Sequence, residues 1–312
     1  MLSKALGPVT PPGGFGRAQR RVRKVLREQG LFGATARLFN LVIGRSKLQP
    51  VPPKKAPPRP APASPPSLHY DYAAWLREFD CMTDARRAAL SARAEQFAWK
   101  PLISIVMPTY NTNPDWLASA IESVQAQIYP HWELCIADDC STKASVREVL
   151  QRYQNADPRI KVCFRTTNGH ISAASNSALE MVTGDWTVLL DHDDVITEHA
   201  LFWVVDALNN VDGIRMIYSD EDKITETGVR KEPYFKSDWN EDLFRSHNMF
   251  SHLGAFETAL VREVGGFRVG YEGSQDYDLV WRCLERVSRD QIHHIARVLY
   301  SWRIHAESTA QS

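Results

Sequence analysis

The chain has 312 residues, a length for one or two domains of ordinary size. Its 37 basic and 37 acidic residues cancel, which excludes a protein that coats nucleic acid along its length, and its 44% hydrophobic share excludes global disorder. Five scattered cysteines (Cys81, Cys135, Cys140, Cys163, Cys283) form no C-x-x-C pair, so neither a zinc ribbon nor a disulfide framework is indicated, and a reducing compartment is expected. No apolar run approaches the ~18–20 residues of a membrane span, and MLSKALGPVTPPGG lacks the apolar stretch of a secretory signal. The expected location is cytoplasmic, soluble or held at the inner face of the cell membrane.

The zero net charge hides an asymmetry. Residues 1–67 carry 13 Lys or Arg against the single acid Glu28, a net of +12, which leaves −12 for residues 68–312. Residues 1–49 form a basic head in which RAQRRVRKVLRE precedes Leu31, Phe32, Thr35, Leu38, Phe39 and Val42 at helical spacing. Such an amphipathic stretch, over residues 17–48, suits peripheral contact with an anionic membrane, at about 1 kcal/mol per nearby cation. Docking on the acidic main domain or on a partner protein is the other reading; no nucleic acid is expected. Residues 50–67 follow as a linker: nine of the 18 prolines lie between Pro50 and Pro66, where neither a helix nor a strand ladder can form. Residues 68–100 read as a helical entry arm, with Trp75, Leu76 and Phe79 and then Ala89, Leu90 and Phe97 on its apolar side.

From residue 101 to 312 short β-rich runs alternate with helical patterns. ISIVM (103–107), ELCIA (133–137), KVCFR (161–165), WTVLL (186–190) and IRMIY (214–218) read as buried strands; helices are expected near 114–127, 143–154, 171–182 and 197–208. Near-continuous apolar strands with helical crossovers predict an α/β domain, a mainly parallel mixed sheet flanked by helices. In such a sheet ligands bind beyond the carboxyl ends of the strands, and the polar residues gather there: PTYN (108–111), ADDCS (137–141), NGH (168–170), DHDD (191–194) and SDEDK (219–223). Asp138, Asp139, Asp191, Asp193, Asp194 and Asp220 would thus converge on one rim. Packed like charges repel unless a cation neutralises them, and carboxylate oxygens suit Mg²⁺ or Mn²⁺. A hard ion with few protein ligands leaves room for phosphate oxygens, so an activated-phosphate donor, a nucleotide, is expected. No G-x-x-x-x-G-K-[ST] and no G-x-G-x-x-G after the first strand offers another phosphate grip.

Several strings then resemble one known family. PLISIVMPTYNTNPDWLASAIESVQAQIYPHWELCIADDCST is similar to the opening of a family 2 glycosyltransferase of the GT-A fold, and NGHISAASNSALEMVTGDWTVLLDHDD to its middle, which ends in an Asp-x-Asp-type metal motif. VGGFRVGYEGSQDYDLVWRCLE resembles the segment that supplies the acceptor-side base, and IHHIARVLYSWRIHAEST the closing strand and tail. The resemblance covers about residues 100–310. YSDEDK, FKSDW and the tail resemble bacterial O-antigen and other surface-polysaccharide transferases, including rhamnosyltransferase-like domains.

The resemblance implies an inverting, metal-dependent enzyme that moves a sugar from a nucleotide-sugar donor to a saccharide or lipid-linked saccharide acceptor. It implies that Pro108, Thr109 and Tyr110 lie against the nucleotide, that Asp139 with Asp138 reads the base edge, and that Asn168 and His170 join the donor site. By the same resemblance Asp191 lies near ribose and donor sugar, Asp193 and Asp194 lie at the metal and diphosphate, His305 is a late metal ligand, and Asp276 is the general base. One departure stands out: many relatives carry an Arg before the Asn of AASNSAL, where this chain has Ser175, and Lys223, His170, Arg282 or Arg303 would have to supply that charge. The alternative to an enzyme is a catalytically inactive saccharide-binding or assembly module. Structural roles are the default for Asp115 as a helix-start residue, for Asp278, for His192 turned away from the acids, for His293 and His294, and for Trp239, Trp281 and Trp302 as core. Cys135 and Cys163 read as inert core residues.

Overall fold

The computed structural model describes residues 71–305; the basic head, the proline-rich linker and the membrane contact expected of residues 17–48 lie outside the described residues. The entry arm begins at helix α1 (Tyr72–Trp75), where the Asp71 carboxylate accepts the Ala74 N–H at 2.9 Å, and runs into a wider turn over Leu76–Asp80. Helix α2 (Asp84–Glu95) starts at Thr83, whose hydroxyl accepts the Arg86 N–H. Such caps satisfy donors that a helix start leaves unpaired. Arg87 grips Glu198 at 2.7 and 3.0 Å, and the buried Tyr72 hydroxyl donates to Asp222 at 2.6 Å.

The main domain alternates as expected at first. Strand β1 (Ile103–Thr109), helix α3 (Pro114–Gln125), β2 (Trp132–Asp138), α4 (Ala144–Ala156), β3 (Ile160–Phe164), α5 (His170–Glu180) and β4 (Trp186–Leu189) build a parallel half-sheet in the order β3-β2-β1-β4. Asn113, not Asp115, caps α3: its side chain accepts the Asp115 N–H at 2.8 Å, and Pro114 takes the first turn, where a missing N–H costs nothing. A short β5 (Val195–Ile196) and helix α6 (Ala200–Asn210) follow, then β6 (Met216–Thr225), β7 (Arg230–Tyr234), α7 (Glu241–Ser246), β8 (Gly254–Glu257), α8 (Thr258–Glu263), α9 (Gln275–Leu284) and β9 (Ile292–Ile304). They extend the sheet as β4-β8-β6-β9-β5, with β7 on β6. β8 runs antiparallel to β4 and β6, whereas β9 runs parallel to β6.

The strands alternate faces with period two. Ile103, Ile105 and Met107 of β1 join a core under α3, α4 and α6; Val106 joins a second core under α5, α8 and α9. Both layers exclude water from the sheet, which positions everything polar at its ends. The exception is β6. SDEDK is not a loop: it continues the strand, which pairs with β8 over residues 216–218, with β7 over 221–224, and with β9 along its length. Asp220 is therefore not on the rim. It is buried, accepting from the Lys236 N–H at 2.9 Å and from His294 at 2.8 Å.

Where β1, β2 and β4 begin, Glu133 accepts from Ser104, Lys161 and both the N–H and hydroxyl of Thr183. Burial raises its pKa, but Lys161, Ser104 and Thr183 outweigh burial and the net shift is downward. Its contribution is therefore present above the ordinary carboxyl range and lost as pH falls below it. Glu133→Gln should flatten the acid limb of a stability–pH curve below about pH 4.5, measured by urea melts. Gly184 lies against β1: a Cβ there would meet the Leu102 carbonyl at 2.4 Å and Ser104 Oγ at 2.6 Å. Gly184→Ala should cost about 1–3 kcal/mol by overpacking, read from the same melts.

Candidate active site

Strand β4 ends at Leu189, and the next residues make a tight acidic turn in which the Asp194 N–H donates to the Asp191 carbonyl at 3.3 Å. The turn is seated on β9. Tyr300 Oη accepts the Asp191 N–H at 3.2 Å and donates to Asp194 Oδ2 at 2.7 Å; the Arg303 N–H holds Asp194 Oδ1 at 2.7 Å, and Arg303 Nε donates to the Asp193 carbonyl. Asp193 points elsewhere, to His305 Nε2 at 2.9 Å, and the His305 ring lies 4.6 Å from that of Trp116. His192 is turned away from the acids, with Nδ1 3.1 Å from the Pro108 carbonyl.

The loop before β8 adds His252. Its ring stacks on Tyr300 at 4.2 Å, its Nε2 lies 3.9 Å from Asp191 Oδ2, and its Nδ1 is buried without a partner. Ligand atoms of Asp191, Asp194 and His252 all fall within 4.8 Å of one another. Burial, with the charges of Asp193 and Asp276, pushes the Asp191 carboxyl up to about 7; burial, with Asp193 and Asp191, raises Asp194 well above the usual range against the bonds from Arg303 and Tyr300. Burial lowers His252. The three groups therefore lack positive charge between them, and two carboxylates with an imidazole fit a divalent cation.

Around them runs a cleft of about 290 Å³, lined by Pro108, Ser175, Asp191, His252, Asp276 and Trp302 among others. Asp276 lies in the first turn of α9, with one oxygen held by Asn248 Nδ2 at 2.8 Å. Trp302, expected as core, packs against the core and also forms part of this wall, and its indole N–H is buried with no partner. Trp239 is core as expected, and Asp278 is structural, clamped by Arg268 and Arg282.

The remaining site residues lie at the ends of β1 and β2 and in the loop after β3. Pro108 and Thr109 belong to β1, and Thr109 is paired in register with Asp138. Thr109 Oγ1 and Asp138 Oδ1 are both buried and unpartnered, while Asp138 Oδ2 accepts the Ser141 N–H. Asp139 is occupied: it pairs with Arg165 at 2.8 Å and accepts the Gly169 N–H, tying down the loop that carries Asn168 and His170. Tyr110, Asn168 and His170 are exposed. Of the cations considered for the charge missing at Ser175, Arg282 bonds Asp278 and the Val264 and Gly266 carbonyls, and Lys223 pairs with Glu232. Arg303 alone among them touches the acidic turn. Sequence reasoning missed His252, Tyr300 and Asn248: His252 and Asn248 stand in no quoted string, Tyr300 lies within the tail string without being singled out, and only folding brings His252 and Tyr300 to the turn and Asn248 to Asp276.

With this geometry the chain belongs to glycosyl transferase family 2, whose family model matches residues 104–265, from β1 through α8. It is 51% identical over 241 residues to the uncharacterised protein y4gI of Sinorhizobium fredii, covering 77% of this chain and 26% of that protein. It is 32% identical over 304 residues to the O-antigen biosynthesis protein RfbC of Myxococcus xanthus, covering 97% of this chain and 22% of that one. The chain thus spans about a quarter of the length of these two relatives. Among solved structures, Staphylococcus aureus TarS 1–349 in complex with UDP-GlcNAc superposes with a TM-score of 0.57 at 21% identity, over 67% of this chain and 60% of that one. The mannosyltransferase PcManGT of Pyrobaculum calidifontis, in complex with GDP-Man and Mn²⁺, does so with 0.52 at 16%, over 71% and 66%. Identities this low show a shared fold, the expected GT-A architecture.

A raised carboxyl pKa contributes stability at low pH that is lost as pH rises through the folded value, here about 7. In EDTA, Asp191→Asn should therefore raise Tm at pH 8 and leave it nearly unchanged only below the ordinary carboxyl value of about 3.8, measured by thermal melts.

Proposed function

We propose that this domain transfers a sugar from a nucleotide-sugar donor to a saccharide or lipid-linked saccharide acceptor during assembly of a surface polysaccharide, with Mg²⁺ or Mn²⁺ and with inversion at the anomeric carbon. One observation carries the reading: Asp276 lines the same cleft as Asp191 and His252, so a candidate base and a candidate cation cluster face one small volume. The relative RfbC, an O-antigen biosynthesis protein, supports the polysaccharide context, and the fold shared with structures holding UDP-GlcNAc or GDP-Man supports the donor class.

The residues divide the work. Thr109 Oγ1 and Asp138 Oδ1, buried at adjacent strand ends with bonding capacity unused, suit the polar edges of a nucleoside. Asp191, Asp194 and His252 would hold the cation, which when bound supplies positive charge against the leaving diphosphate. Arg303 and the Tyr300 hydroxyl orient the acidic turn from behind. Asp276 keeps one oxygen on Asn248, which fixes its plane and leaves the other to take the proton of the attacking acceptor hydroxyl. That attack forms the new C–O bond from the face opposite the leaving group as the old bond breaks. A single displacement inverts the anomeric centre and needs no second carboxylate as nucleophile, unlike a retaining glycosidase.

Thermal shift with UDP, GDP and dTDP should show one nucleotide stabilising the protein in Mn²⁺ and losing that effect in EDTA. If none does, the donor site is misplaced. Asp276→Asn should lower transfer by about 10²–10⁴-fold while the Mn²⁺–nucleotide shift persists. A saccharide-binding module without catalysis would instead fail to hydrolyse any nucleotide sugar slowly in the absence of acceptor.

A further inference from the structure

Away from the acidic turn and β9, Lys236 is a deeply buried cation whose side chain is 0% exposed. Its Nζ donates to Glu221 at 2.9 Å, to the Phe250 carbonyl at 3.1 Å and to the His252 carbonyl at 2.6 Å. Glu221 accepts in return from Ser251 Oγ at 2.6 Å and from the His252 N–H at 3.1 Å. The peptide groups on both sides of the His252 Cα are thus gripped by one ion pair. The next residue is held too, since the Leu253 N–H donates to Ser219 Oγ. Ser251 itself sits at φ 24, a left-handed backbone that a serine rarely adopts unless held there.

A buried ion pair seldom stabilises more than apolar side chains of equal volume, because desolvation cancels most of the attraction. What full charges add is direction. Here all the direction is spent on a short loop whose one cleft-facing polar side chain is the His252 imidazole. We infer that Lys236 and Glu221 are positioning residues that fix His252 in the cation cluster with Asp191 and Asp194. This role rests on the cation-dependent reading of the cleft. Neither residue touches the substrate; each acts through the His252 backbone, while Tyr300 aligns the ring.

The test uses the full chain and isothermal titration with Mn²⁺ alone, beside thermal melts in EDTA. Removing one charge strands the other, so the informative variant is Lys236→Met with Glu221→Gln, which keeps shape and removes both charges. Expected is a Mn²⁺ Kd raised about tenfold with little change in Tm, and no further loss when His252→Gln is added, since the pair acts through that residue. Ser251→Ala, which carries no charge change, should raise Kd by a smaller factor, about threefold, and serves where the double variant does not fold. An unchanged Kd in these variants, with or without a lower Tm, overturns the positioning role while wild-type Mn²⁺ binding upholds the cleft reading. Losses that add to that of His252→Gln also overturn it. A wild-type chain that takes up no Mn²⁺ removes the cleft reading and this role together.

Discussion

Two carboxyl groups and an imidazole whose ligand atoms all lie within 4.8 Å of one another form an arrangement that water alone cannot stabilise. Asp191 and Asp194 resist ionising together, and His252, buried beside them, resists protonation. The surrounding scaffold holds them there regardless. β4 delivers the turn, β9 seats it through Tyr300 and Arg303, and the loop before β8 closes it with His252. A structure that confines like charges in this way is poised for a positive partner, and the neighbouring cleft gives that partner something to act on.

The parallel half of the sheet was readable because its code is local. Apolar runs of four to seven residues with helical crossovers leave few alternatives, and the strands and helices from 103 to 210 fall close to their expected limits. The other half was readable only in part, at the start of β6 and in the closing strand β9. β5, β7 and β8 are two to five residues long and pair antiparallel, and β5 and β8 do so with strands distant in sequence, which no local period encodes. SDEDK was read as a loop because five polar residues ordinarily mean water. Inside the fold each acid has a dedicated partner: Asp220 takes His294, Glu221 takes Lys236, and Asp222 takes Arg230, Ser301 and Tyr72.

The same division holds for the site. Acids that follow strands, such as Asp138 and Asp191, could be picked out from position alone, and Asp276 from the string around it. Asp139 illustrates the limit: its carboxylate already serves Arg165 and Gly169, which makes it a brace for the neighbouring loop. Of the residues that complete the cluster from distant segments, His252 carries no periodic or motif signal, and Tyr300 lies in the tail string with nothing local to mark it as a partner of the turn. The entry arm is similar. Its helices were legible, but not its anchorage, in which Asp80 and Tyr72 reach Arg230 and Asp222 on the far half of the sheet.

Strand β6 has one more consequence. A hydropathy profile would rank its stretch of Ser219 to Lys223 among the freely replaceable parts of the chain, the place to insert a tag or graft a foreign epitope. The geometry reverses that ranking. Four consecutive side chains there, Ser219 to Asp222, are locked into interior contracts: Ser219 and Glu221 to the loop bearing His252, Asp220 to β9, and Asp222 to both β9 and the arm. Evolutionary drift at these positions has to proceed by paired exchange, so their history should be written as covariation across the sheet, not as single-site variety.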